Sequence, residues 1–361
     1  MSTAGSTAGD PQIIVERVGA IGRLRLNRPK ALNSLTLEMV RAMYAALNAF
    51  GDDPSIAAVL VTGEGNRGLC AGGDIRAIHE SGSAGTELAG TFWREEFLLN
   101  AAISHFPKPY IAIMDGITMG GGVGISSHGS RRVVTERTRL ALPETGIGYF
   151  PDVGATWLLS RGAGELGTYL GLTGESIGAA DSIEANLADI FVSSSELEDL
   201  VRELSALPTG CKAETVDIAL QRFSQPVPAG TLTPYRLEID RFLAFDSVEA
   251  IVSALKTDAS EFAQKTWATL LGRSPTSLKL TLRLLRLGRT SSSLEACLER
   301  EFAASAKMLS THDFYEGIRA AIIEKDRNPK WSPDSLADVT DEMVEAALEP
   351  RSPTLFGASR I

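Results

Sequence analysis

The sequence predicts an α/β fold that becomes mainly helical toward its C-terminus. Three observations carry this reading. Over the first half of the chain, short apolar runs alternate with segments of helical period. Two strand-like stretches lead into glycine loops, Cys70-Ala71-Gly72-Gly73-Asp74 and Gly120-Gly121-Gly122. From about residue 155 the strand pattern is lost and apolar residues recur at helical spacing, as at Leu278, Leu282 and Leu285.

Taken in order, residues 12–26 alternate apolar and polar positions around Gly19, the pattern of a hairpin. Leu35, Met39, Met43, Ala46, Leu47 and Phe50 follow at helical period, with Ser34 or Thr36 as N-cap. Residues 57–62 form a short buried strand. The first glycine loop comes next, with a helix starting just after Gly73. The Gly/Ser/Thr-rich stretch 81–91 is expected to be mobile, and 92–103 to be helical. A second buried strand, 110–114, feeds the glycine run, and 123–127 opens a helix behind it. Residues 132–135 and 140–141 are short strands. Helices are expected over 156–172, 182–187, 195–207 and much of 236–310. Residues 208–235 hold several Pro and Gly and read as a linker or irregular insertion. This divides the chain into a disordered tail at 1–11, a core at 12–205, a helical region at 206–345 and a loose tail at 346–361.

The 361 residues are 44% hydrophobic and 22% charged, enough for a sizeable core in a water-exposed globular protein. A net charge of −10 argues against a nucleic-acid partner. No apolar run approaches the roughly 18 residues of a membrane span. Cys70, Cys211 and Cys297 are odd in number and show no CxxC, so reduced thiols and a cytoplasmic location are expected. The N-terminal MSTAGSTAGDP lacks an apolar stretch and arginine, and reads as neither a signal nor a transit peptide.

A glycine loop between a strand and a helix lets backbone approach a ligand, and the first N–H groups of the helix lack intrahelical partners. Two such loops can aim two N–H donors at one oxygen, an oxyanion hole. Glu144 is the only acid between Glu136 and Asp152, within a largely apolar segment. A carboxyl there is desolvated and made more basic. The residues alone leave plainer accounts open: tight turns for the glycines, a structural carboxylate at Glu144, a turn or N-cap residue at Asp152, and helix surface at Glu96. Other motifs fail their context. Gly162-Ala163-Gly164-Glu165-Leu166-Gly167 fits GxGxxG but follows no strand. His79, His105, His128 and His312 show no metal spacing. Gly124-Ile125-Ser126-Ser127-His128 is not a nucleophile elbow. Cys70 reads as a small buried hydrophobe.

Four motifs, in order and spacing, resemble the enoyl-CoA hydratase/isomerase (crotonase) superfamily: Leu26-Asn27-Arg28-Pro29-Lys30-Ala31-Leu32-Asn33, Ala71-Gly72-Gly73-Asp74-Ile75, Asp115-Gly116 before the glycine run, and Pro143-Glu144. The resemblance implies a crotonase-like spiral of ββα units, usually assembled as trimers or pairs of trimers, acting on an acyl-CoA thioester. Its oxyanion hole maps onto the N–H groups of Gly73 and Gly121. One departure stands out. The hydratases carry a glutamate two residues after the third glycine, and here that position is Gly124. The second hydratase glutamate is retained as Glu144. Water addition across a double bond needs both an acid and a base, so hydratase activity is not expected.

Further motifs resemble the branch of that superfamily that hydrolyses 3-hydroxyisobutyryl-CoA. They are Phe92-Trp93-Arg94-Glu95-Glu96, His128-Gly129, Gly148-Tyr149-Phe150-Pro151-Asp152-Val153-Gly154 and Ser274-Pro275-Thr276-Ser277-Leu278-Lys279. The stretches 312–320 and 325–331 add to them. This branch implies a thioester hydrolase of valine breakdown. Its catalytic groups map onto Glu144, Asp152, Gly73 and Gly121. Substrate contacts map onto Glu96, Gly121, Glu144 and Asp152, with Gly73, Asp74, Ile75 and Arg76 in the loop beside them. Arg28 and Lys30 are expected near CoA. CoA is part of the substrate, and no metal or separate cofactor is implied.

Overall fold

The computed structural model describes residues 10–357. Strands β1 (Ile13–Val18) and β2 (Ile21–Leu26) form the expected antiparallel hairpin. In chain order, β3 (Ala58–Gly63), β4 (Gly68–Cys70), β5 (Tyr110–Met114), β6 (Ile117–Met119), β7 (Arg131–Val134), β8 (Arg139–Ala141) and β9 (Ile190–Phe191) follow. Alternate strands go to different sheets. The larger is ordered β1-β2-β3-β5-β7-β9 and the smaller β4-β6-β8, and every pair after the hairpin is parallel. Parallel strands buried on both faces read as continuous apolar runs. In β3, Val59 and Val61 join one core cluster while Ala58 and Leu60 join the other.

Four helices frame the site. Helix α1 (Leu37–Asp52) is capped by Thr36, whose hydroxyl accepts from the Met39 N–H at 3.2 Å. Helices α2 (Ile75–Ala84), α3 (Leu88–Ser104) and α4 (Gly121–Ser127) follow. The stretch expected to be mobile is largely helical. Only a short turn separates α2 from α3, and Ser81 ties it by bonding Thr86 Oγ1 at 2.7 Å and accepting from the Ala89 N–H at 3.2 Å.

The expected linker at 208–235 holds the helix Ala213–Phe223. Val216, Ala219 and Leu220 bury one face of it in the second cluster, beside Leu200 and Leu204 of the helix Leu197–Ser205. The flanking Pro and Gly residues mark its ends, not a linker. The expected helix over 156–172 is two helices, Ala155–Leu158 and Leu166–Thr173, and the GxGxxG stretch is part of the turn between them and the start of the second. Region 236–310 is five helices, of which Pro275–Thr290 and Leu294–Met308 are the longest.

The main apolar cluster runs from Ile13 to Phe356, so packing is continuous across the division expected at 205/206. The stretch expected to be loose after 346 is fastened over 353–356. Leu355 and Phe356 are buried, and their N–H groups donate to Glu299 at 3.0 and 2.6 Å. Residues 1–9 and 358–361, parts of the two expected tails, lie outside the described residues.

Candidate active site

The small sheet builds the site. β4, β6 and β8 are parallel neighbours, so their C-terminal ends lie side by side. β4 delivers Gly72 and Gly73, β6 delivers Gly120 and Gly121, and β8 delivers Pro143 and Glu144. The glycine run is fed by the short β6, one turn beyond the long strand 110–114 that the sequence pattern suggested. Gly72 (φ +99°) and Gly120 (φ +49°) adopt backbone conformations that side chains disfavour, which turns each loop sharply into its helix. Gly121 is the first residue of α4, so its N–H has no intrahelical partner. A Cβ built on Gly121 would stand 3.3 Å from the Gly73 nitrogen and 2.5 Å from Glu96 Oε1. Only glycine therefore leaves room for a ligand oxygen between the two donors.

Three carboxyls line the same cavity as Gly73 and Gly121: Glu96 from α3, Glu144 from the 3₁₀ turn Glu144–Ile147, and Asp152 from the loop beyond it. All three are buried. Glu96 Oε1 and Glu144 Oε2 have no hydrogen-bond partner among the described residues, so both are available to a ligand. Burial, then Asp152 and Glu144, push the Glu96 carboxyl well above the usual range. Burial and then Asp152 do the same to Glu144. Burial, with Glu301 behind it, pushes Asp152 up to about 8, although the Tyr149 hydroxyl lies 3.1 Å from Asp152 Oδ2. Each carboxyl in this shared, buried cavity makes ionisation of the others less favourable. The cavity therefore favours a protonated Asp152 beside carboxyls of raised basicity.

The remaining walls are apolar: Phe92, Trp93, Ile75, Ile78, Met119 and Ile147, with Ile322 reaching in from the C-terminal region. Trp93 stacks on Tyr149, with centroids 5.5 Å apart.

Of the other expected contacts, Ile75 is in the cavity lining and Asp74, Arg76, Arg28 and Lys30 are not. Asp74 caps α2 and pairs with Arg28 at 3.0 Å. Arg28 also donates to the Ser34 carbonyl at 2.6 Å, so its guanidinium is engaged within the protein. Lys30 is exposed in the turn Pro29–Ala31. Ile75 lines the cavity, whereas Arg76 donates to the Ile322 carbonyl at 3.3 Å. Cys70 is buried, and burial pushes its thiol up to about 12, which removes it as a nucleophile.

Gly124 has no space for a side chain. A Cβ there would lie 2.7 Å from Val153 Cβ and 2.8 Å from Asn100 Nδ2. The volume that the hydratase glutamate's stem would need is filled by Val153, the neighbour of Asp152.

Two residues behind the site, Glu301 and Ser305, carried no assignment from sequence. Both lie on the helix Leu294–Met308 and face the 149–156 loop. The available signal was an acid on an apolar stripe: Leu294, Leu298, Glu301 and Met308 share one buried face.

The enoyl-CoA hydratase/isomerase family model matches residues 21–348. The chain is 43% identical to the mitochondrial 3-hydroxyisobutyryl-CoA hydrolase of Xenopus laevis, over 94% of this chain and 89% of that protein. It is 41% identical to the human mitochondrial enzyme of the same name, over 92% and 86%. Among solved structures, a carnitinyl-CoA dehydratase from Mycobacterium thermoresistibile superposes with a TM-score of 0.91 at 44% identity, over 96% of this chain and 99% of that one. An enoyl-CoA hydratase from Rhodobacter sphaeroides gives 0.87 at 38% identity, over 96% and 99%. The match spans the glycine loops, the carboxyl loop and the C-terminal helices alike, and with it this chain belongs to the enoyl-CoA hydratase/isomerase family, with the crotonase fold.

Proposed function

We propose that this chain is a thioester hydrolase that converts 3-hydroxyisobutyryl-CoA to 3-hydroxyisobutyrate and CoA, a step of valine breakdown. The observation that carries the proposal is Glu144, buried and partly unpartnered, on the strand end next to the two glycine loops. The names of the vertebrate relatives support the substrate.

In this reading the Gly73 and Gly121 N–H groups hold the thioester oxygen as negative charge builds on it. Glu144 accepts a proton from water as the water oxygen bonds to the carbonyl carbon. Alternatively, Glu144 itself bonds to that carbon and the mixed anhydride is opened by water. In both routes the C–S bond breaks, and the departing thiolate takes a proton from Asp152. Glu96 binds the substrate hydroxyl. CoA enters as part of the substrate, and no step calls on a metal or a further cofactor.

A second reading, hydration or dehydration of an acyl-CoA, is favoured by the name of the 44% identical solved structure. The crowding at Gly124 weighs against it, because no second glutamate can stand there.

Location and assembly complete the proposal. A cytoplasmic location is proposed from the N-terminal composition, and the three free cysteines fit any reducing compartment. The vertebrate relatives are named mitochondrial, and fractionation of source cells separates the two. Among the described residues no helix is long and apolar enough to cross a membrane. A trimer or pair of trimers is proposed from the family resemblance and is checked by light scattering.

The proposal is tested with Glu144→Gln. The variant keeps size and loses the base, and release of CoA thiol from 3-hydroxyisobutyryl-CoA should fall by about 10²-fold or more while substrate still binds. Full turnover by the variant would remove Glu144 from the chemistry.

A further inference from the structure

The loop that carries Asp152 is held in an unfavourable backbone shape by buried groups from two other parts of the chain. Val153 lies in the left-handed region at φ +56°, and Gly154 follows at +77°. A β-branched residue avoids that region unless its surroundings impose it. Two contacts impose it here. His128, at the end of α4, donates from Nε2 to the Val153 carbonyl at 2.7 Å. Burial drives the His128 imidazole down to about 4, so it is neutral and its proton is fixed on Nε2 by that carbonyl. The second contact comes from Glu301, which is fully buried. Its Oε2 accepts from the Gly154 N–H at 2.6 Å, and its Oε1 accepts from the Thr156 N–H at 3.1 Å and the Thr156 hydroxyl at 2.5 Å. One turn later on the same helix, Ser305 bonds the Tyr149 hydroxyl at 2.6 Å, and that hydroxyl lies 3.1 Å from Asp152 Oδ2. There is no slack on the α4 side, since Val153 is packed onto Gly124.

We propose that Glu301, with Ser305 and His128, is a positioning residue for the reaction: it fixes the loop that carries the Asp152 carboxyl. This rests on the functional reading above. None of the three touches the cavity; each acts through the 149–156 loop. The charged and titratable groups around Asp152 are Glu96 from α3, Glu144 from the turn after β8, Tyr149 from its own loop and Glu301 from the helix Leu294–Met308. Glu301 in turn has Arg300 and Cys297 beside it on its own helix. Burial raises the Glu301 carboxyl to about 7, so its charge repels Asp152 only above that pH. Removing that charge lets Asp152 give up its proton at lower pH.

The experiment compares wild type with Glu301→Gln in thiol release from 3-hydroxyisobutyryl-CoA across about pH 5.5–9. E301Q keeps the size, removes the charge and turns one of the two accepting oxygens into an NH2 donor that faces the Gly154 or Thr156 N–H. Its kcat should fall by about 10-fold or more with KM nearly unchanged, because misplacing a reacting group costs rate more than binding. Its alkaline limb should move to lower pH, which a purely structural defect would not produce. Equal kcat and superposable pH profiles would overturn the proposal. Should E301Q fail to fold, Ser305→Ala replaces it: a lowered kcat at constant KM is expected, and wild-type kcat would overturn the proposal. Wild-type protein that releases no thiol would instead count against the functional reading. The positioning claim is then decided by the crystal structure of E301Q. Loss of the Tyr149–Asp152 bond and departure of Val153 from the left-handed region are expected, and an unchanged loop overturns the claim.

Discussion

Asp152 illustrates how a buried carboxyl proposed for catalysis can work against the stability of its own protein. It is buried, with a carboxyl raised to about 8 by desolvation first and Glu301 second. An unfolded aspartate titrates near 4. The folded state therefore binds the extra proton between those values, and folding stability declines as pH rises through that window. Asp152→Asn removes this dependence and also relieves Glu96 and Glu144, both of which are raised by Asp152. Thermal unfolding without substrate should show D152N gaining on wild type from pH 5 toward pH 8, by an amount on the order of a few kcal/mol. A difference that stays flat with pH would contradict the burial and charge argument.

At the scale of elements, the decisive feature is the small sheet β4-β6-β8, whose aligned ends bring together residues from three distant parts of the chain. The helix α4 makes a second demand, because it must pass close to the Asp152 loop. Gly124→Ala tests that packing. The added methyl meets Val153 and Asn100 well inside contact distance, and α4 is buried throughout, so neither side can give way freely. We expect a loss of about 1–3 kcal/mol in urea unfolding; an unchanged midpoint would mean that the α4 contact is looser than described.

Much of this was legible in the sequence. The hairpin, the two glycine loops and the helical second half were readable from period and punctuation, whereas the role expected of Glu144 came from the family resemblance. The strands β4, β6 and β9 were not, because two or three residues carry no period. The helix 213–223 was hidden by the Pro and Gly that bracket it. Asp74 and Arg28 sit in the family motif, yet here they pair with each other, a long-range contact that spacing cannot reveal. Glu301 was missed for a similar reason: its partners lie about 145 residues away in the chain.

At the scale of the whole molecule, the C-terminal region is part of the site. Ile322 lines the cavity, and Glu301 and Ser305 brace the Asp152 loop. The extra helices thus supply walls and support that an α/β core ending near residue 205 would lack. With no room for a second glutamate at Gly124, the roles proposed for Glu144, Asp152 and the two glycine N–H groups fit chemistry at a thioester carbon better than addition across a double bond. The most direct measurement sets the two against each other on the same purified protein: release of CoA thiol from 3-hydroxyisobutyryl-CoA beside loss of the enoyl absorbance of crotonyl-CoA. Rapid thiol release with little hydration is the predicted result. Hydration of crotonyl-CoA without thiol release would contradict the account, and would require a second acid other than any side chain at position 124.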